Sequence, residues 1–321
     1  MKIFVTRQIP EVGLLKLKDV GHEVVIAGGE VLPHEVLIER LKAENPDAVL
    51  SLLTDKIDQT VFDAAPNAKI FANYAVGFDN IDLEAAKQHG VVITNTPEVL
   101  TEAVAEHTVA LIISLARRIV EADQFLRDGK YEAWGPLLLL GMELKGKTLG
   151  IIGGGRIGRR VAEIMQKGFG MEIVYHDRKN NEAFDNELNA KYAPELDDLL
   201  SQSDVISIHL PLTPDTQHLF NQELLAKVKP GSLLINTARG KIIDEEALAG
   251  ALQSGLLSGA ALDVFENEPT VNSKLLALDN VIVTPHIASA TREARDQMSV
   301  VAADNILAVL NGEPPKNPVV W

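Results

Sequence analysis

Residues 148–158 read TLGIIGGGRIG, and how this stretch is read decides the fold. An apolar run, TLGII, leads into glycines spaced G-x-G-x-x-G, namely Gly153, Gly155 and Gly158, and then into the helical pattern Ile157–Gln166. Strand, glycine turn and helix in that order aim backbone N–H groups and the positive end of a helix at an anion, an arrangement that holds a pyrophosphate. The glycine spacing by itself also occurs in plain turns. Here the next apolar run, MEIVYH, ends at Asp177, nineteen residues past Gly158, where a carboxylate accepts hydrogen bonds from an adenosine ribose. Strand, loop, helix, second strand and acid together predict a dinucleotide site. A carboxylate at 177 repels a ribose 2′-phosphate and so favours NAD over NADP, while the adjacent Arg178 and Lys179 keep NADP possible.

Downstream the alternation continues through DVISIHL, SLLIN, GAALD and NVIVTP, separated by helical stretches such as Asp244–Gln253. That is the pattern of a six-stranded doubly wound parallel sheet. Upstream, KIFV, EVVIA, AVLSLL, KIFAN and VVITN alternate with Val12–Lys18, Pro33–Lys42, Ile57–Ala64 and Leu83–His89, which predicts a five-stranded α/β unit. Between the two series, residues 101–128 form an unbroken helical pattern ended by Gly129, apolar on more than one stripe, as in a helix that spans domains or touches a second subunit. The last helix, Arg292–Leu310, follows the completed second sheet and is expected to return to the first unit. The glycine motif therefore lies in mid-chain because its domain, residues 99–286, is expected to be inserted into a split partner made of residues 1–98 and 287–321.

The chain's 321 residues suit two domains. There is no cysteine, which excludes disulfides, thiolate metal sites and a cysteine nucleophile and fits a reducing cytoplasm; no metal is expected. The start, MKIFVTRQIP, lacks the apolar core and cleavage site of a signal peptide, and the longest apolar runs fall short of a membrane span, so a soluble protein is expected. Thirty basic against forty-five acidic residues, a formal charge of −15, oppose binding to nucleic acid or an anionic membrane. An anionic ligand is still allowed, because a helix N-terminus acts on it at contact distance.

In open α/β sheets ligands bind beyond the carboxyl ends of the strands. Five polar residues fall at such ends: Asp177, His209, Arg239, Asp263 and His286. Any one of them could simply begin a turn; five on one edge point to a ligand. With a nicotinamide dinucleotide, reducing a keto acid requires a proton donor for the carbonyl oxygen and a cation for the carboxylate. Histidine suits the first task because it titrates near neutrality. Of eight histidines, His22, His34, His89 and His107 suit surface or packing roles, whereas His286 has the small residues Ala288, Ser289 and Ala290 beside it; His209 is the competing donor. Both Glu266 and Glu268 in DVFENEP could partner the imidazole, and Arg239 in TARG offers a planar fork to a carboxylate.

Over nearly its whole length the chain resembles the D-specific 2-hydroxyacid dehydrogenase family, through NYAVGFDNID, the glycine loop, SDVISIHLPLTPDTQHLFN, KPGSLLINTARGKIIDEEAL, GAALDVFENEP and TPHIASAT. The resemblance implies an α/β fold in which a doubly wound (Rossmann) nucleotide domain is inserted into a split, flavodoxin-like substrate domain. It implies that Arg239 binds the substrate carboxylate and carbonyl, that Glu268 pairs with the imidazole, and that His286 donates the proton. It assigns Gly155, Arg156 and Ile157 to the pyrophosphate, beside Gly153 and Gly158 of the glycine motif, with Thr108 approaching the phosphates. Asp177 falls at the adenosine ribose with Arg178 beside it, Thr237, Ala238 and Asp263 fall at the nicotinamide end, and His209 and Pro211 complete the cofactor set. The amides of Val76 and Gly77 would hold the substrate carboxylate, with Leu53 near it. LSLLTDKID and EAWGPLLLLGMELKGKTLGIIG are similar to the glyoxylate and hydroxypyruvate reductases, although Leu138 stands where that branch can place a tryptophan, which points away from hydroxypyruvate. The activity implied is reduction of a small 2-keto acid to the 2-hydroxy acid with NAD(P)H. Oxidation of 3-phosphoglycerate, D-lactate or a sugar acid is an alternative, as is an NAD-sensing, corepressor-like role. A homodimer formed through the long helix and Leu137–Leu140 is expected.

Overall fold

The computed structural model describes residues 1–319. The chain forms two compact units, Met1–Leu100 with Ala290–Trp321, and Thr101–Ser289. In the first unit five parallel strands, β1 (Lys2–Val5), β2 (Glu23–Ile26), β3 (Ala48–Leu52), β4 (Ile70–Tyr74) and β5 (Val92–Thr94), lie in the order β2-β1-β3-β4-β5. This is the flavodoxin-like order. The central strands AVLSL and IFANY are buried at every position, because helices cover both faces of a parallel sheet and no alternation survives. Helix Arg292–Leu310 packs on helix Glu11–Asp19, where Ser299 Oγ accepts from the Gly13 amide at 3.1 Å and donates to Pro10 O at 2.7 Å.

The second unit carries β6 (Thr148–Ile152), β7 (Glu172–His176), β8 (Lys191–Tyr192), β9 (Val205–Ile208), β10 (Ser232–Asn236), β11 (Leu257–Leu262) and β12 (Val281–Val283), all parallel, in the order β12-β11-β10-β9-β6-β7-β8. Six strands were expected and seven are present. The extra one, β8, is a two-residue edge strand on β7, too short to carry a periodic signal. Strand order reverses between β6 and β9, the point at which doubly wound sheets bind nucleotides. The glycine loop leaves β6 there, and His209 leaves β9.

One helix was expected over residues 101–128; two are found, Thr101–Ala116 and Ile119–Arg127. The break falls at Arg118, whose φ of 53° is left-handed. Its cause is tertiary: the Ala116 carbonyl accepts from the Met142 amide at 2.7 Å instead of from a further helical turn. The Arg118 fork then closes on both oxygens of Glu121, at 2.8 and 2.6 Å, at the start of the second helix. Among the described residues no helix is long and apolar enough to cross a membrane, and no group of three or more His, Asp or Glu could hold a metal ion.

Candidate active site

The glycine loop is built by close backbone approach. Gly153 has φ +98°, and a Cβ there would lie 2.5 Å from the His209 carbonyl oxygen; one on Gly158 would lie 2.2 Å from Gly153 O. Gly155, the N-cap of helix Arg156–Phe169, faces open space, since a Cβ there would meet nothing within 4 Å. No side chain caps that helix, so its first N–H groups are left for a ligand. Asp177 accepts from the Gly154 amide at 2.9 Å and from the Arg178 amide at 2.6 Å, which seats its carboxylate against the loop. An open depression lined by Asp177, Arg178, Lys179, Asn180, Asn181 and Glu182 continues from it. Uncapped N–H groups, an open Gly155 and an acid at the end of β7 fit a dinucleotide. Farther along the same sheet edge, Thr108 Oγ1 donates to Val104 O at 2.8 Å and lies 2.9 Å from Thr237 Oγ1, joining helix Thr101–Ala116 to the TARG turn. Arg156 and Pro211 are exposed.

His209 and His286, the two histidines weighed as proton donors, differ sharply. His209 Nε2 lies 2.9 Å from Ser207 Oγ, and its ring edge packs on Gly158. Burial pushes its pKa down to about 3, so it is neutral across the physiological range and a poor proton donor. His286 Nδ1 lies 2.8 Å from Glu268 Oε2, and Glu268 Oε1 accepts from the Phe265 amide at 3.0 Å. Burial raises the Glu268 carboxyl, but the His286 imidazole, the Phe265 amide and the nearby Arg239 guanidinium together outweigh it and hold the group below its ordinary value. Between the two acids that the sequence left open, the imidazole takes Glu268. Glu266 instead pairs with His218 Nε2 at 2.5 Å and accepts from the Glu245 amide at 3.2 Å.

Asp263 acts inside this arrangement as a hub. It is fully buried, and its carboxylate accepts from Thr284 Oγ1 at 2.6 Å, the Ile287 amide at 2.9 Å and the Ala288 amide at 2.8 Å, with His107 Nε2 3.5 Å away. Burial pushes its carboxyl up, but these donors prevail and hold it ionised, below its ordinary value. Those bonds hold the segment that carries His286, whose φ of 54° is left-handed and whose amide faces Asp263 O at 2.9 Å. A non-glycine residue in that region costs on the order of 1 kcal/mol, which a set of buried charge-assisted bonds can offset.

Arg239 follows β10 in a turn fixed by buried Asn236, which donates to Arg239 O at 2.9 Å and accepts from the Ala238 amide at 3.0 Å. Its guanidinium donates to Ala238 O at 2.8 Å. In the first unit, Leu53 lies just past β3 and Val76 and Gly77 just past β4. Asn80 donates to Leu52 O at 3.1 Å and to Asp55 O at 2.9 Å, while Asn73 donates to Gly77 O at 2.9 Å. These asparagines, together with Asn236 and Thr284, were not singled out by reading for chemistry, because none of them is itself reactive; Asp263 was singled out, but as a strand-end cofactor residue and not as a hub.

Residues 109–288 match the family described as D-isomer specific 2-hydroxyacid dehydrogenase, NAD binding domain. The chain is 48% identical over 321 residues to the glyoxylate reductase of Korarchaeum cryptofilum, covering 99% of this chain and 95% of that enzyme. A crystal structure of a Thermus thermophilus protein superposes with a TM-score of 0.93 at 45% identity and 100% coverage of both chains. The NADPH-dependent glyoxylate/hydroxypyruvate reductase of Sinorhizobium meliloti, in complex with NADP and malonate, superposes with a TM-score of 0.87 at 33% identity, covering 99% of this chain and 96% of that one. A glycine loop at the sheet's reversal point, an edge that joins His286 to Glu268, and similarity of this extent lead to one conclusion: the chain belongs to the D-isomer specific 2-hydroxyacid dehydrogenase family.

Proposed function

We propose that the protein is an NAD(P)H-dependent reductase of small 2-keto acids, glyoxylate first and hydroxypyruvate next, with Arg239, Glu268 and His286 as its catalytic residues. The observation that carries this reading is the 2.8 Å pair between His286 Nδ1 and Glu268 Oε2, in the same unit as the glycine loop. The bound nicotinamide supplies the hydride for C2 of the keto acid. His286 gives a proton to the carbonyl oxygen from Nε2, because Glu268 engages Nδ1 and stabilises the charged ring. Arg239 draws electron density from the carbonyl and pairs with the carboxylate. In the first unit, the Val76 and Gly77 amides, with Leu53 near them, are a carboxylate-binding set.

On the cofactor side, Gly153, Gly155, Arg156, Ile157, Gly158 and Thr108 hold the phosphates, and Asp177 and Arg178 the adenosine ribose. His209, Pro211, Thr237, Ala238 and Asp263 line the remainder. The engagement of Asp177 with the loop supports NADH over NADPH. A second copy of the chain is the proposed partner of the exposed apolar residues Ile119, Val120, Leu126, Trp134, Leu137 and Leu140. We place the protein in a reducing cytoplasm, supported by a chain without cysteine, and cell fractionation reads this out.

His286→Asn tests the central assignment. NADH binding should survive while turnover of glyoxylate falls by roughly 10²–10⁴-fold. A variant that turns over like the parent refutes it. Running the parent on a panel of keto acids with NADH and with NADPH ranks substrates and cofactors and separates an enzyme from an NAD sensor.

A further inference from the structure

We propose that Asn95 is a positioning residue that sets the direction of the Val76 and Gly77 amides and thereby the affinity of the protein for its substrate's carboxylate. The inference rests on reading that amide pair as the carboxylate site.

The argument is one of peptide geometry. A trans peptide unit is planar, with its C=O and the following N–H on opposite sides. Past the end of β4, the Ala75 carbonyl accepts from the Thr96 amide at 2.8 Å, and the Val76 carbonyl accepts from Asn95 Nδ2 at 2.7 Å. Both carbonyls are thus drawn to the same two residues. The N–H groups that share those peptide planes, on Val76 and Gly77, must therefore point the other way. Neither donates to any acceptor among the described residues. The next carbonyl, of Gly77, is taken by Asn73 Nδ2 at 2.9 Å, which ties down the far end of the turn. Two successive N–H groups facing one side make a concavity that suits an anion.

The two halves of this device are not equally robust. The Ala75 half is a backbone bond that no substitution at 96 short of proline removes. The Val76 half depends on one carboxamide. Asn95 is itself held in place by the C-terminal stretch of the same unit: its amide donates to Asn317 O at 3.3 Å, and the Val319 amide donates to Ile93 O at 2.8 Å. Buried Asn305 accepts from the amides of Lys316 and Asn317 at 3.0 and 3.2 Å and donates to Asn317 Oδ1 at 3.2 Å, which fixes that stretch in turn.

Asn95→Ala frees the Val76–Gly77 peptide to rotate, and Asn95→Asp, of the same size, sets a carboxylate against the Val76 carbonyl and turns the plane over. The test compares both with the parent in steady-state reduction of glyoxylate and in calorimetric binding of oxamate to the NADH-loaded protein. Oxamate keeps the carboxylate and replaces the reacting carbon by an unreactive amide. For Asn95→Ala the expected result is a KM for glyoxylate and a Kd for oxamate raised about tenfold, the scale of one charge-assisted hydrogen bond, with a larger effect for Asn95→Asp. In both variants kcat at saturation and the Kd for NADH should stay near the parent values, a split that general loosening of the fold would not give. A thermal melt shows which variants are folded, and either one suffices. A folded variant with unchanged KM and oxamate affinity overturns the proposal while leaving the carboxylate site standing. A parent protein that neither reduces glyoxylate nor binds oxamate overturns the site reading, and this proposal with it.

Discussion

Gly240→Ala should uncouple two of the proposed catalytic residues without touching either. Gly240 opens the short turn Gly240–Ile242 directly after Arg239. A Cβ there would lie 1.9 Å from the Phe265 carbonyl carbon, 2.1 Å from its oxygen and 2.5 Å from the Glu266 nitrogen. Real Cβ contacts essentially never fall below 3.0 Å, so the segments must part by about 1.1 Å, and because all three atoms are backbone no side chain can swing aside. One segment carries Arg239. The other carries Phe265, whose amide donates to Glu268 Oε1 at 3.0 Å, so the displacement passes directly into the Glu268–His286 pair. Misplacing catalytic groups by about 1 Å costs on the order of 10²-fold in rate, and overpacking costs about 1–3 kcal/mol of stability.

Steady-state reduction of glyoxylate should therefore show kcat lower by about 10²-fold. NADH titration should show a much smaller effect than turnover does, because the loop 153–158 and Asp177 are untouched and, of the proposed cofactor residues, only Thr237 and Ala238 lie in the turn that moves. A thermal melt should confirm folding at the assay temperature, with a lowered midpoint. Gly250→Ala is the internal control: exposed within helix Glu245–Gln253, its Cβ would meet nothing within 4 Å. That change should stabilise by about 0.5–1 kcal/mol and leave kcat alone. A folded Gly240→Ala protein with parental kcat would refute the claim that backbone contact between these segments holds the site.

Two further outcomes are expected. The folded-state value of Glu268 is depressed, so its ionised form stabilises the fold; that contribution is complete above the ordinary value of 4.5 and is lost as pH falls through the lower folded value. The melting advantage of the parent over Glu268→Gln, worth on the order of 1 kcal/mol for a charge-assisted bond at this partly exposed pair, should shrink as pH falls below the ordinary value of 4.5; a gap that widens on acidification below that value contradicts the sign. Leu137→Asp, at a side chain 79% exposed, should shift sedimentation at micromolar concentration from dimer towards monomer, and a parent that sediments as a monomer removes the proposed contact.

What the sequence disclosed was whatever local pattern could carry. The strands of both sheets announce themselves as apolar runs because parallel strands are buried on both faces, and helix Arg292–Leu310 was legible to the residue. The glycine loop was legible because its chemistry is local: two close backbone approaches and an open cap within six residues. Illegible were features whose cause lies far along the chain. The break at Arg118 is made by Met142, and strand β8 exists only because β7 offers it an edge. His209 and His286 look alike in sequence, each just beyond a strand end, and only burial against the glycine loop separates a neutral ring from one paired with a carboxylate.

The same distinction explains which functional residues pattern reading could not find. A proton donor, its carboxylate and a guanidinium advertise themselves by residue type, but each is aimed by a partner that has no reactivity of its own. Arg239 is aimed by Asn236 and by the bare backbone at Gly240, Glu268 by the Phe265 amide, and His286 by the buried carboxylate of Asp263. Those supports are backbone groups and buried hydrogen bonds drawn from the ends of β10, β11 and β12, so the three side chains proposed as catalytic share one sheet edge in place of three independent loops. Preorganisation of this kind costs no rearrangement when charge develops on a substrate oxygen. It also locates the site's weakness. A change at Asp263 or Gly240 should damage catalysis about as much as a change at His286, although neither has to touch the substrate.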